Sequence, residues 1–316
     1  MRRGTLRGIG ERGLIERLRR RVRRTPSVQV GIGDDAAVLR LPGPPMAGRR
    51  AGARSGERLL LACDMIVEGV HFRRGRVPAP WIGWKALAVN ISDIAAMGGR
   101  PRWAVVSLGL PPATPVRFVE AVYAGLERCA RRFGVAVVGG DTVRAPQVVI
   151  DVAILGTVRP RDLTRRSGAR VGDLLFVTGR LGGSYRSGRH ARFLPRLREA
   201  HALVRRVRVH AMMDLSDGLS SDLWQMSRAS RATLRVDAAR IPVARSAGSV
   251  YHALVDGEDF ELLFAVEPRA ARRLPRRIGS CPVTRIGEVV RRGVGVEFVE
   301  SNGRVRPLTE RGFRHF

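Results

Sequence analysis

One aspartate constrains this chain more than any other residue. Asp93 falls inside KALAVNISDIAAMGGRP, an alanine-rich stretch from Lys85 to Pro101. Trp84, Leu87, Ala88 and Ile91 recur at helical spacing, so one side of the segment is apolar and must face a core. Asn90 and Asp93 stand three apart, on neighbouring helical positions off that stripe. Gly98, Gly99 and Pro101 then end the helix. A carboxylate on so closely packed a helix adds little to solubility, but it is well placed to hold a cation in a cleft. The same stretch carries Lys85, the only lysine among 57 Lys plus Arg residues. A chain that otherwise writes arginine marks here a place where the guanidinium fork does not fit; chance retention of one codon is the plainer alternative.

A length of 316 residues points to two domains, and 44% hydrophobic against 27% charged residues is ordinary for a chain able to bury a core. No apolar run approaches the roughly 18 residues a membrane span requires. The first 21 residues carry arginine without an apolar core, and Glu11 and Glu16 argue against a transit peptide. They read as an amphipathic helix on Leu14, Ile15, Leu18 and Val22, and the expected location is cytoplasmic. Cys63, Cys129 and Cys281 are far apart and lack metal-ligand spacing, which suits a reducing compartment. The net charge of +29 predicts attraction to polyanions, yet the arginines are spread along the whole chain and aromatics are only 5%. That distribution fits a coding bias better than a nucleic-acid face.

Taken in order, residues 28–41 read as strand, Gly-x-Gly turn and strand, with Asp34 and Asp35 in the turn. Residues 42–58 form a Pro-, Gly- and Arg-rich surface loop, and 59–72 a buried strand that breaks at Asp64. A strand over 103–111, an amphipathic helix over 116–134 and a strand over 135–143 follow; Gly139, Gly140 and Asp141 end the last of these. Carboxyl ends of strands are where open α/β sheets place ligand groups. The strand over 147–158 closes a first half, and a composition shift at 159–173 marks the domain boundary. Residues 182–210 show only weak periodicity. Residues 212–230 read as strand end, acidic turn and helix, capped by Ser216 or Asp217, and Gly257, Glu258 and Asp259 precede a further strand.

Singly these acidic turns say little, since each also reads as hairpin or helix-start chemistry. Together Asp34, Asp35, Asp64, Asp93, Asp141, Asp214 and Asp217 make up seven of only 28 acidic residues, all at strand ends or helix edges beside Gly or Ser. Carboxylate-only sites select hard cations, and Mg²⁺ takes a few carboxylates plus phosphate oxygens. There is no GxxxxGK[ST] loop and no HRD or DFG set, which excludes a P-loop enzyme and a protein kinase. Several aspartates around Mg²⁺ suit phosphoryl transfer, where positioning and charge neutralisation suffice without a covalent nucleophile.

At this point the motifs become collectively specific. GERGLIERL, GIGDDAAVL, CDMIVEGVHF, KALAVNISDIAAMGGRP, GGDTVRAP, TRRSGARVGDLLFVTG, DLSDGLSSDL, GEDFELLF and the terminal GFRHF occur in one order from residue 10 onward. In this the chain resembles the thiamine-monophosphate kinases, of the superfamily that includes aminoimidazole ribonucleotide synthetase. The resemblance implies a two-domain α/β fold of the α+β type. Residues 1–160 would form an ATP- and Mg²⁺-binding domain whose mixed sheet pairs in a homodimer, and 161–316 a second domain completing the cleft. It implies ATP-dependent phosphorylation of thiamine monophosphate to thiamine diphosphate. Metal ligands would be Asp35, Asp64, Asp93, Asp141, Asp214 and Asp217; ATP contacts Gly140, Arg166 and Ser216; and substrate-pocket residues His71 and Glu258.

Three positions depart from that pattern. Ala62 and Cys63 precede Asp64 where a hydroxyl residue is usual, Asp256 replaces the first glycine of a Gly-Gly-Glu-Asp turn, and Glu310 stands where an aromatic substrate contact is expected. Segment 180–210 is also short. The alternatives are a superfamily member acting on another phosphorylated or carbonyl acceptor, or a non-enzymatic dimeric polyanion-binding protein. Two relatives are disfavoured: hydrogenase-maturation proteins of this fold end in cysteine, and selenophosphate synthetases carry a reactive Cys or selenocysteine and Lys near the N-terminus.

Overall fold

A computed structural model describes residues 5–22, 25–40 and 56–315. Most of the expected loop 42–58 lies outside them. Helix α1 (Leu6–Arg21) leads into a six-stranded sheet of β1 (Val28–Val30), β2 (Ala37–Leu39), β3 (Arg58–Val67), β4 (Arg100–Leu110), β5 (Ala136–Arg144) and β6 (Val149–Val158). The spatial order is β1-β2-β3-β6-β4-β5, antiparallel throughout except for the parallel pair β4–β5. One face is covered by α2 (Ala79–Ala96) and α3 (Val116–Phe133). These helices approach closely because glycines line the crossing. A Cβ at Gly83 would lie 1.8 Å from the Val122 carbonyl oxygen, and one at Gly125 would lie 1.7 Å from that of Pro80.

The second sheet comprises β7 (Leu174–Thr178), β8 (Ala211–Asp214), β9 (Ala232–Asp237), β10 (Leu262–Val266), β11 (Arg277–Ile278), β12 (Cys281–Arg292), β13 (Gly295–Val299) and β14 (Val305–Pro307). Its path is β14-β13-β9-β12-β7-β10-β8, with β11 paired to β12. Helices α4 (Leu197–Arg206), α5 (Leu219–Ser230), α6 (Val250–Val255) and the short α7 (Pro268–Ala271) accompany it. Continuous apolar strands such as LLFAV of β10 are buried at every residue, as a sheet covered on both faces requires. Helix α2 belongs to the first domain, yet Ala95 and Ala96 pack with Phe176, Leu203 and Phe264 of the second. Its Ala-rich C-terminal end is narrow enough to reach both cores.

Several elements differ from expectation. Strand β3 runs straight through Asp64, which pairs with Val152 of β6. Its other neighbour, β2, stops at the Ala37–Leu61 pair, and beyond it the Asp64 amide donates to Asn90 Oδ1 at 3.1 Å. A side chain of α2 thus replaces the missing strand. Segment 182–210 is held by charge in its first half, where Arg189 donates to Glu261 at 3.2 Å and Arg196 Nε to Glu261 Oε2 at 2.6 Å, and by the apolar side of α4 in its second, where Ala200 and Leu203 are buried. The N-terminal helix forms, with a break at Gly10 (φ 65°), but Ile15, Leu18 and Val22 are exposed. Neither Ser216 nor Asp217 caps α5; Gly218 occupies that position, and its amide donates to Asp222 Oδ2 one turn on. The three cysteines are free, and among the described residues no helix is long and apolar enough to cross a membrane.

Candidate functional site

Three carboxylates from three elements meet where the domains face each other. Asp35 comes from the β1–β2 turn, Asp93 from the last turns of α2 and Asp214 from the end of β8. One oxygen of each lies within 4.8 Å of the others. Asp35 and Asp214 are buried and Asp93 is half-buried. Like charges this close, out of water, favour the protonated form. Burial raises Asp93 well above the usual carboxylate range, with Asp64 and Asp214 adding to it. Burial, then the charge of Asp35, pushes Asp214 up to about 7. Burial likewise raises Asp35 and Asp64, and with the neighbouring Asp35 it pushes Asp34 to about 7.

Arg166 is the counter-charge within this group. Its Nε donates to Asp35 Oδ1 at 2.7 Å and its Nη1 to Gln225 Oε1 at 2.7 Å. Burial would lower this guanidinium, but Asp35 outweighs it and the pKa is raised. Ser92 Oγ donates to Asp214 Oδ2 at 2.6 Å, which fixes that carboxylate against α2. One atom is left over: Asp35 Oδ2 is buried without a hydrogen-bond partner. An orphaned carboxylate oxygen among other carboxylate oxygens, with no His or Cys, is a donor set for a hard divalent cation.

The cluster has a measurable electrostatic consequence. Asp214 carries a folded pKa above its unfolded value, so the native state holds more protons and stability falls as pH rises through about 7. His71, depressed to about 4 chiefly by burial, acts in the opposite direction, but only below the unfolded histidine value near 6.5. Between pH 6.5 and 8 the aspartates therefore dominate. Cation-free protein is expected to lose on the order of 1 kcal/mol per such group over that window. Millimolar Mg²⁺ is expected to cancel the loss, since bound cation pairs with the ionised set. Thermal melts in EDTA and in Mg²⁺ at the two pH values check this; a flat EDTA profile would contradict it.

The remaining expected residues divide into three groups. Ser216 and Asp217 lie in the turn after β8, where Gln225 Nε2 donates to Asp217 Oδ2 at 3.1 Å. Burial, with Glu11 next, raises Asp217. His71 and Glu258 meet at Lys85, whose Nζ donates to the His71 carbonyl at 2.9 Å and to Glu258 Oε1, with His190 Nδ1 3.2 Å away. Lys85 is 1% exposed and joins the two domains. Glu258 reaches it from a left-handed backbone (φ 52°) whose amide donates to Ser216 O at 2.7 Å. Burial opposes ionisation of Glu258, but His190 and Lys85 prevail and hold the carboxyl below its usual range.

Gly140 and Asp141 stand apart. Strand β5 does not end at Asp141 but continues to Arg144, and register puts Asp141 beside Ser107, Asp151 and Met65. That row lies on the open face of the first sheet. Asp64, aligned with Val152, Val106 and Gly140, belongs to the covered face. A Cβ at Gly140 would lie 1.8 Å from the Val106 carbonyl oxygen, so no side chain is tolerated there. Sequence reasoning missed Ser92, Gln225, His190 and the buried Asp222. Ser92 adjoins Asp93 in the central motif and Asp222 lies within DLSDGLSSDL; Gln225 and His190 carry no signal of their own.

A two-domain fold with an acidic cleft of this kind is that of the aminoimidazole ribonucleotide synthetase class. Residues 33–158 match the family described as AIR synthase related protein, N-terminal domain, and residues 170–300 its C-terminal domain. The thiamine-monophosphate kinase of Rhodopirellula baltica is 41% identical over 294 residues, spanning 89% of this chain and 90% of that protein. That of Bacillus subtilis is 31% identical, spanning 98% and 100%. Among solved structures, one described as "AaThiL complexed with AMPPCP and TMP" superposes with a TM-score of 0.83 at 28% identity, over 99% of both chains. Hydrogenase maturation protein HypE in complex with ATP, at 22% identity and a TM-score of 0.69, shares the fold. The chain belongs to the thiamine-monophosphate kinase family.

Proposed function

We propose that this protein transfers the γ-phosphoryl group of ATP to the phosphate of thiamine monophosphate, giving thiamine diphosphate. The observation that carries the reading is the convergence of Asp35, Asp93 and Asp214 at the domain junction, with one buried oxygen left unpartnered, in a chain of this family. These residues, with Asp64 and Asp217 beside them, are the ones to hold Mg²⁺. Bound there, the cations would neutralise charge on phosphate oxygens.

Within the chain, Arg166 is the cation available to a nucleotide phosphate once metal satisfies Asp35, and Ser216 presents its groups beside Asp217. No side chain acts as a covalent nucleophile: the acceptor is the substrate's own phosphate, and the protein's task is to align it. Glu258, kept ionised by Lys85 and His190, supplies a negative charge where a cationic substrate would rest.

A homodimer accounts for Gly140 and Asp141. The open face of the first sheet exposes Leu61, Met65, Trp103, Val105 and Val143, an apolar surface around Asp141 with no partner element among the described residues. A second copy laid on this face would cover it, and Asp141, with the edge-strand backbone of Gly140 next to it, would then belong to a site shared between two subunits. One experiment tests the whole reading: purified protein is sized by light scattering, then given ATP, Mg²⁺ and thiamine monophosphate. Twice the 34.7 kDa chain mass and EDTA-sensitive thiamine diphosphate are expected. A folded, ATP-binding protein that makes no product would move the reading to another acceptor.

A further inference from the structure

Arg166 is pinned by its backbone and steered by its side chain. The amide donates to Asp34 Oδ1 at 3.1 Å and the carbonyl accepts Ser230 Oγ at 3.3 Å, which fixes the main chain between the β1–β2 turn and the end of α5. Nε and Nη2 of the guanidinium both reach Oδ1 of Asp35, at 2.7 and 2.5 Å, and Nη1 donates to Gln225 Oε1 at 2.7 Å. The two side-chain contacts differ in kind. A divalent cation in the carboxylate cluster competes for the first, because Asp35 is one of the three converging residues. The second is to a neutral amide outside that cluster, and a cation held by the aspartates leaves it in place.

The amide of Gln225 is itself held from the other side. A guanidinium only donates, so Arg166 takes the amide oxygen and the nitrogen is left to the carboxyl groups. Nε2 donates to Asp217 Oδ2 and to Asp222 Oδ1, each at 3.1 Å. Asp222 is fully buried and its second oxygen accepts the Gly218 amide at 3.2 Å, so it is a fixed anchor. Two further charges bear on this group. Arg12, whose Nη2 donates to Ser221 Oγ at 2.8 Å, is the other cation near Asp217 and Asp222, and Glu11 adds a negative charge beside Asp217. Among so many charges, a neutral head with one acceptor and one donor group joins arginine to carboxylate without adding to either sign.

We propose that Gln225 is a positioning residue for the transfer: its amide keeps Arg166 aimed at the nucleotide phosphates after a cation has taken its share of Asp35. This rests on the proposed function, in which Arg166 meets ATP. Gln225 acts through Arg166 and needs no contact of its own with either substrate.

The test titrates AMPPCP by calorimetry in Mg²⁺, with thermal melts and steady-state kinetics run beside it. Gln225→Met keeps the length of the side chain and loses both polar groups. It is expected to weaken AMPPCP binding about ten-fold and to raise KM for ATP to match, with KM for thiamine monophosphate unmoved. Gln225→Glu keeps an oxygen for Arg166 but sets a second one against Asp217 and Asp222. It is expected to bind AMPPCP within about three-fold of wild type while melting at a lower temperature. A glutamine with only a structural role would make binding follow stability instead. On an Arg166→Met background, Gln225→Met is expected to weaken binding no further, since the arginine it acts through is gone. Wild-type affinity in Gln225→Met would overturn the proposal, as would equal losses in both variants, an additive loss in the double variant, or a wild type that does not bind AMPPCP. Nucleotide binding that depends on Gln225 in a protein that makes no thiamine diphosphate would uphold the positioning role and overturn the acceptor reading.

Discussion

Asp93→Asn is expected to lower phosphoryl transfer by about a thousand-fold or more while making the cation-free protein more stable. The two effects share one cause. Asp93 stands with Asp35 and Asp214 inside a 4.8 Å cluster, and burial with its acidic neighbours raises its pKa well above the usual range. An amide of the same shape removes a carboxyl whose ionisation the cation-free fold opposes, so the melting temperature in EDTA is expected to rise. The same change removes a cation ligand, so the rise in melting temperature on adding Mg²⁺ is expected to shrink. A merely structural aspartate would give the reverse: lower stability, with Mg²⁺ effects intact. Full activity of Asp93→Asn at saturating Mg²⁺ would remove Asp93 from the metal site.

This inverse relation between stability and activity explains why the centre of the molecule was legible in the sequence. Asp93 interrupts an apolar helix, Asp64 follows LLLAC in a strand, and Asp35 and Asp214 flank turns rich in Gly and Ser. A charge in an apolar context stands out because folding alone would not keep it there. Two kinds of information did not stand out. One is sidedness on an edge strand: β5 is exposed along nearly its whole length, so no alternation reveals that Asp141 faces away from Asp64. The other is long-range pairing. Segment 182–210 shows little periodicity before α4, because there Arg189 and Arg196 anchor it to Asp259 and Glu261, some 65 residues or more away; the amphipathic α4 that follows packs Ala200 and Leu203 into the core. In a chain with 57 basic residues, the few arginines that do structural work look like the rest.

Lys85→Met is the second large effect, and it falls on stability first. Methionine fills the volume but leaves Glu258 facing apolar surroundings with only His190 to balance it. Breaking a buried ion pair from one side costs about 3–5 kcal/mol, and Glu258, 25% exposed at its side chain, places the expected loss near the lower end, about 3 kcal/mol. The pair also ties the two domains, so the loss is expected to appear as earlier separation of the second domain in urea. Lys85→Met combined with Glu258→Gln is expected to recover at least about 1 kcal/mol over the sum of the single changes, because no charge is then stranded. Simple additivity would mean the two groups do not interact as the geometry requires. Lys85→Arg is the more searching variant. Nζ sits at the convergence of the His71 carbonyl, His190 Nδ1 and Glu258, with 1% of the residue exposed. A compact ammonium fits that point, whereas a planar guanidinium longer by its fork would have to displace His71 or Glu258. Lys85→Arg is therefore expected to be less stable than wild type despite keeping the charge, and to raise KM for thiamine monophosphate by displacing one of the two pocket residues. An arginine variant as stable and as active as wild type would reduce the only lysine of this chain to an accident of its coding.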